Sequence, residues 1–421
     1  MKTVTKKMRR IKQQTELQAM TAEQMHFEEE MAAIQGLIGL GMKAATEKIQ
    51  KEFLALVGQK YERGKPMGPW GKNRGSIYLG DQKVRMTVPR ARNAQTGEEG
   101  VLRSYERLQN PRVIEEMALR RVINGISMGN YEEAALCIPE TFGIAGDSVS
   151  RRWIRASAKK LAALNDRSLS KYDIVAIFLD GKHFSTDHEI LVALGITLSG
   201  EKVILGIVET STENYVVCRD FVRSLVERGL RAADPILCII DGGKGLHKGL
   251  KEVLAEQAVI QRCQWHKREN VLKYLPQSRQ GEFRRKLQGA YEQPTYEMAK
   301  KSLDVIKREL KSINLSAVNS LEEGFEETLT LHRLGMFEKL GRSFKTTNAI
   351  ENVNSLLGIY TDRVDHWKNS EQRQRWVATA LLQIEPKLRT VSGYQHLAQL
   401  RSAMALLVGK QKQNEELKTA A

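Results

Sequence analysis

Two short apolar runs, each closed by Asp-Gly, constrain this chain more than any other feature. Ile174-Val175-Ala176-Ile177-Phe178-Leu179 leads into Asp180-Gly181, and Ile236-Leu237-Cys238-Ile239-Ile240 leads into Asp241-Gly242. Uninterrupted apolar runs of this length, rich in β-branched residues and bounded by turn residues, are the pattern of strands buried on both faces. Between them lie Leu191 to Leu198 and Val203 to Val208, separated by Ser199-Gly200-Glu201-Lys202, a hairpin turn. Tyr215 to Arg228 has helical spacing (Val217, Phe221, Leu225) and stops at Gly229. Leu246 to Gln257 reads as helix, and Val259 to Cys263 as a last strand. Three strands with a hairpin, then helix, strand, helix, strand, describe a mixed α/β sheet.

A carboxylate that ends a buried strand sits at the carboxyl edge of its sheet, where open α/β sheets bind ligands. If the first and fourth strands are parallel neighbours, as this order permits, Asp180 and Asp241 converge. Each is followed by Gly, which lets backbone and ligand approach closely. Convergent carboxylates repel unless a cation lies between them. Mg²⁺ (or Mn²⁺) suits such oxygen ligands and keeps places for water and phosphate oxygens. The ordinary alternative for a lone strand-end Asp is a turn or helix cap. Two in the same context shift the balance toward function.

A third ligand is needed to hold two metal ions. Glu351 stands in Thr346-Thr347-Asn348-Ala349-Ile350-Glu351-Asn352. Locally, Asn348 with Glu351 three residues later fits a variant capping box, and that reading wins on local grounds. Only the two aspartates and the fold make this Glu a ligand. Cys263-Gln264-Trp265-His266 offers a Cys and a His, but a structural zinc site wants four ligands, commonly two spaced pairs, and no second pair exists. The pair therefore reads as support for the active site or as a DNA contact. Asp173, Asp187, Glu189, Asp220 and Asp234 lie before strands, in turns or in helices, and read as surface residues.

With 421 residues the chain exceeds one core and implies several domains. Residues 1–63 read as a helical region, with Ile34, Leu37, Ile38 and Leu40 at near-helical spacing. It is an assembly or DNA-end-binding region, or a plain amphipathic helix pair. Residues 64–110 read as a basic, Gly-rich linker holding one short strand, Lys83 to Val88, ended by Val88-Pro89-Arg90-Ala91-Arg92. Residues 111–168 read as a helix-turn-helix-like domain. Pro111 opens one helix, Asn130 caps another over Tyr131 to Leu136, and Asp147 or Ser148 caps a third carrying Val149 to Arg155. That third helix would enter the major groove with Ser148, Ser150, Arg151, Arg152 and Arg155. Residues 169–266 are the first part of the α/β core, 267–345 an all-helical insertion, 346–408 the core's last helices, and 409–421 a disordered tail.

Charge agrees with a nucleic-acid partner. Lys and Arg total 66 against 50 Asp and Glu, a net charge of +16, and the pI is near 9.6. Four cysteines, Cys137, Cys218, Cys238 and Cys263, form no CxxC pair and fit reduced, intracellular usage. No apolar run is long enough to span a bilayer, and Met1-Lys2-Thr3-Val4-Thr5-Lys6-Lys7 lacks the apolar segment of a secretory signal. The expectation is a cytoplasmic protein with access to DNA and no membrane partner.

Taken together, these motifs resemble the Mutator-type transposases of bacterial insertion sequences, a family of Asp-Asp-Glu transposases. The likeness runs from Val88 to Tyr394 and rests on Val88-Pro89-Arg90-Ala91-Arg92, Leu179-Asp180-Gly181, Asp241-Gly242-Gly243-Lys244-Gly245-Leu246, Arg262 to Lys267 and Thr346 to Glu351. Their spacing, 61 residues between the aspartates and 110 to the Glu, adds to its specificity. The resemblance implies a ribonuclease H-like core interrupted by a helical insertion, with Asp180, Asp241 and Glu351 as catalytic acids holding two Mg²⁺ or Mn²⁺ ions. It implies that Cys263 and His266 form the family's Cys-x-x-His motif. It further implies that the upstream region, including Arg90 and Arg92, binds terminal inverted repeats. A nucleoid-associated homo-oligomer assembled on DNA follows from the need to hold two ends. One departure is visible: the arginine patch that family members often carry after the Glu helix is here scattered as Arg363, Trp367 and Lys368. Two other readings stand beside this one, a ribonuclease H-like nuclease or resolvase, and a non-catalytic DNA-binding regulator derived from a transposase.

Overall fold

The segment 64–110, expected as a linker with one short strand, instead holds two long paired strands, Met67–Leu79 and Gln82–Asn93, and a short helix, Arg103–Gln109. The computed structural model describes residues 40–59, 62, 64–79, 82–109, 119, 122–125, 146–185, 188–210, 214–364 and 366–419. These form two units, Met1–Ala156 and Ser157–Ala421.

In the first unit, β1 (Met67–Leu79) and β2 (Gln82–Asn93) pair antiparallel from Leu79↔Gln82 to Met67↔Asn93. β1 is invisible in the sequence because it does not alternate: Pro69 to Arg74 are all exposed, and only Ile77 is buried. Backbone pairing holds a strand that no side-chain pattern announces. Gly71, at φ +86°, takes the bulge between Pro69 and Lys72. Pro89, expected to help end its strand, stays within β2 opposite Lys72. A two-stranded sheet leaves one edge of each strand unpaired, where a missing N–H is tolerated. A helix over residues 40–57 supplies Ile49 and Phe53, which pack with Val88, Ala91 and Leu102. From it Glu52 reaches forward to accept from the backbone N–H groups of Arg103 and Ser104, at 2.9 Å each. That satisfies orphan donors at the start of the helix Arg103–Gln109. Of the expected helix-turn-helix, the described part is Leu119, residues 122–125 and the helix Gly146–Asn165. Asp147 and Ser148, expected as caps, lie inside that helix. The helices expected from Pro111 and over Tyr131 to Leu136, and the positions Ile34, Leu37 and Ile38, lie outside the described residues.

The second unit holds a five-stranded mixed sheet of order β5-β4-β3-β6-β7, made of β3 (Ile174–Ser185), β4 (His188–Thr197), β5 (Lys202–Thr210), β6 (Ile236–Ile240) and β7 (Ala258–Arg262). β3–β4 and β4–β5 are antiparallel; β3–β6 and β6–β7 are parallel. The apolar runs are buried because helices cover the sheet. Phe221, Leu225, Leu246 and Leu250, from the helices Tyr215–Glu227 and Lys244–Leu254, pack with Ile177, Leu179, Cys238 and Ile240. The pleat alternates, so Phe178 turns the other way and stacks on Phe344, with ring centroids 5.8 Å apart.

Asp180 does not end its strand, as the sequence suggested. β3 continues to Ser185 because β4 still pairs with it there, as Lys182↔Ile190 shows. What ends beside Asp180 is the parallel partner, at Ile240. After β7, the helices Gln264–Leu272, Gln277–Tyr291, Tyr296–Lys311 and Leu315–Glu322 and three shorter ones reach Phe344. They close around a core of their own that includes Phe283, Leu287, Leu303 and Leu310. The helices Asn348–Thr361 and Ser370–Ile384 follow. Residues 409–419, expected as a disordered tail, continue the helix Leu397–Thr419. Gln411 to Lys418 are polar apart from Leu417 but mostly good helix formers, and polarity alone does not break a helix. No described helix is long and apolar enough to cross a membrane.

Candidate active site

Pleat and register together bring the two aspartates side by side. Phe178 pairs with Ile239 across the parallel β3–β6 ladder. Two residues further on stand Asp180, within β3, and Asp241, just past the end of β6, where the two backbones run side by side. Burial, and then the charges of Asp241 and Glu351, push the Asp180 carboxyl up to about 6. Like charges thus meet at a half-buried spot, the condition under which a carboxylate clings to its proton. Asp241 Oδ1 also accepts from the Gly243 N–H at 3.1 Å, an Asx-type turn before the helix Lys244–Leu254.

Glu351 reaches these aspartates from the first turn of the helix Asn348–Thr361. The expected capping box is absent, since no side chain caps that helix. The Glu351 carboxylate instead accepts from the Thr347 hydroxyl at 2.5 Å. Thr347 Oγ1 also lies 3.3 Å from His266 Nδ1 and 3.4 Å from Cys263 Sγ. A hydroxyl has one proton, and the short contact to a carboxylate claims it. His266 Nδ1 must then donate to Thr347, giving an ordered chain from His266 through Thr347 to Glu351. The Cys263 interaction, with help from Asp241 and Glu351 and against burial, lifts His266 to about 8. Burial raises the Cys263 thiol, but the bonds from the His266 side chain and backbone oppose it, and the thiol lies below its ordinary value. Backbone bonds stitch the motifs together: the Cys263 N–H donates to Ile240 O at 2.8 Å, and the Gln264 N–H to Lys345 O at 3.0 Å. So Asp241, the Cys-x-x-His motif and the Glu351 helix are held by their chain ends.

One residue that sequence reasoning missed completes the picture. Asn354 Nδ2 donates to Asp180 Oδ2 at 2.9 Å. It stands three residues after Glu351 on the same helix face, a spacing visible in the sequence but meaningless before the face was known. Thr347 was likewise overlooked, although it lies in the Glu351 motif. The glycines after the aspartates are explained by protein rather than by a ligand. A Cβ at Gly181 would collide with the Glu189 carboxylate. Gly242, at φ +119°, lies against the Arg262 guanidinium. Glu189, expected as a surface residue, is therefore packed into the sheet. Asp173 is engaged as well, accepting from Arg401 at 2.6 and 3.0 Å.

The residues expected to face DNA lie in the first unit. Arg90 pairs with Glu99. Arg92 donates to Gly97 O at 2.8 Å and its guanidinium lies 5.0 Å from the Trp70 ring centre. Arg152 donates to the Tyr78 hydroxyl at 3.2 Å, which joins helix Gly146–Asn165 to β1. Arg151 and Arg155 are exposed and, with Arg152 and Ile154, line a cavity of about 430 Å³. Ser150 is half-buried, and the Ser148 side chain lies outside the described residues.

Comparison with known proteins places the chain in a family. The transposase for insertion sequence element IST2 of Acidithiobacillus ferrooxidans is 31% identical over 188 residues, 45% of this chain and 61% of that protein. The transposase for IS905 of Lactococcus lactis is 25% identical over 355 residues, 80% of this chain and 85% of its own. The transposase for IS256 in transposon Tn4001 of Staphylococcus aureus is 23% identical over 314 residues, 72% and 77% of the two chains. The family described as "Transposase, Mutator family" matches residues 8–388, so the chain belongs to the Mutator family of transposases.

Proposed function

We propose that this chain is the transposase of an insertion sequence, binding the element's terminal inverted repeats and catalysing metal-dependent DNA cleavage and strand transfer on a ribonuclease H-like core. The observation that carries the reading is the convergence of Asp180, Asp241 and Glu351, expressed in the raised Asp180 carboxyl. Three hard oxygen donors in mutual repulsion, beside the buried and unpartnered Asn354 Oδ1, fit two divalent cations of the Mg²⁺ or Mn²⁺ kind. When bound, such ions neutralise the scissile phosphate and ease deprotonation of the attacking hydroxyl. Asp180 presents its carboxylate from β3 and Asp241 from the turn directly after β6, and Thr347 fixes one oxygen of Glu351. The chain's own work is positioning, so no covalent protein–DNA intermediate is required. Lys and Arg of the first unit bind DNA by displacing counterions, which makes affinity fall with salt. Two ends must be held at once, so the working form is a homo-oligomer on DNA, in the cytoplasm with the nucleoid.

The test mixes full-length protein with oligonucleotides carrying the element's terminal repeats and a plasmid target, in Mg²⁺ and in EDTA. Mg²⁺-dependent joining that disappears in Asp241→Ala is the expected result. Cleavage without joining would replace the reading by a nuclease, and end-specific binding without either reaction would replace it by a regulator.

A further inference from the structure

We propose that Asn354 is a positioning residue of the acidic site: its amide locks one oxygen of Asp180 so that the other would be presented to a metal ion, and its carbonyl is left open as a hydrogen-bond acceptor. The inference rests on the proposed metal-dependent function and deepens it.

A carboxylate only accepts, so Asp180 Oδ2 at 2.9 Å fixes which end of the Asn354 amide faces it. The NH₂ group points at Asp180 and Oδ1 points away. That Oδ1 is buried and has no hydrogen-bond partner, an arrangement that is unfavourable when left unanswered. A structural amide in this fold looks different. Gln261, buried a few residues before Cys263, donates to Arg262 O at 2.8 Å and Thr328 O at 2.9 Å and accepts from the Leu331 N–H at 3.0 Å. Asn354 satisfies one end and leaves the other open, beside three acids. Its place three residues after Glu351 means that one helix face delivers both groups to the edge of the sheet. Moving the helix to reposition Glu351 therefore also moves the clamp on Asp180, which couples the two ends of the metal site. Groups that orient ligands in this way are worth about 10–100-fold in metal affinity or activity.

The experiment titrates Mn²⁺ into full-length wild type, Asn354→Ala, Asn354→Leu and Asp180→Ala. It reads free Mn²⁺ by electron paramagnetic resonance and the metal-induced rise in melting temperature against an EDTA control. The expected result is Mn²⁺ binding weakened about 10–100-fold in both Asn354 variants, with a smaller metal-induced rise. Asn354→Leu fills the volume, and so separates loss of the amide from loss of packing if Asn354→Ala folds poorly. Wild-type Mn²⁺ affinity in either folded Asn354 variant overturns the proposal, as does a lower metal-free melting temperature with an unchanged metal-induced rise. Mn²⁺ binding that survives Asp180→Ala overturns the underlying reading of the acidic site instead.

Discussion

Two polar clusters flank the ends of β6 and β7, and they are built in opposite ways. On one side, Asp180, Asp241 and Glu351 bring like charges together and hold Asp180 up at about 6. On the other, Lys267 is buried with its Nζ donating to Ser320 O at 2.7 Å and Glu323 O at 2.6 Å. Arg262 beside it donates to Glu323 O at 3.0 Å and Gly242 O at 2.5 Å. Burial and the Arg262 charge push Lys267 down to about 8, against the pull of Glu323. The cations meet backbone carbonyls and the Glu323 carboxylate, which offset most of their cost, although Arg262 Nε has no hydrogen-bond partner. The acids meet one another, and the bonds from Gly243, Thr347 and Asn354 offset only part of that repulsion. Opposite charge and carbonyls dominate one cluster, and like charge dominates the other.

The contrast predicts which cluster tolerates change. Asp180→Asn should reduce cleavage to background and yet stabilise the metal-free protein at pH 7. The sign follows from linkage: a carboxyl raised in the folded state contributes stability below its unfolded value near 3.8, and loses it as pH rises through about 6. The gain, on the order of 1–3 kcal/mol, should shrink toward zero at pH 4 in thermal melts. A loss of stability at pH 7 would remove the distinction between the clusters.

Thr347→Val removes the hydroxyl but keeps the shape. Cleavage should fall about 10–100-fold, because the hold on Glu351 is lost together with the acceptor for His266. An unchanged rate would mean that Glu351 needs no such anchor. Lys267→Met is the mirror experiment. It should cost about 1–3 kcal/mol of stability by orphaning two carbonyls, while the cleavage rate per folded molecule stays at the wild-type level. A catalytic defect without destabilisation would transfer Lys267 to the functional side.

The smallest effect belongs to the exposed pair of the first unit. Arg90→Ala should leave melting unchanged, since solvated ion pairs contribute little. It should lower the slope of DNA affinity against salt by about one unit. An unchanged slope would remove Arg90 from the DNA interface.

Legibility in the sequence followed the physical origin of each feature. The strands β3 to β7 were readable because burial on both faces demands uninterrupted apolar runs, and the helices of the sheet because their apolar residues recur at helical spacing. β1 was not readable, because Pro69 to Arg74 face solvent and only cross-strand hydrogen bonds define them. The purpose of Gly181 was misread for a similar reason: Glu189, which fills its space, lies on the neighbouring strand.

By itself the sequence determined two buried strands, each with an Asp directly after its apolar run; that Asp180 lies inside its strand and not at its end was decided by the pairing with β4. It also determined a basic surface suited to a polyanion. Only the tertiary structure decided that β3 and β6 are parallel neighbours in the register that sets Asp180 beside Asp241. It alone brought Glu351, a helix cap by local reading, within electrostatic reach of Asp180, joined Thr347 to His266, and aimed Asn354 at Asp180. Strand pairing and helix docking join residues more than a hundred positions apart, and no local pattern of side chains encodes which face will meet which.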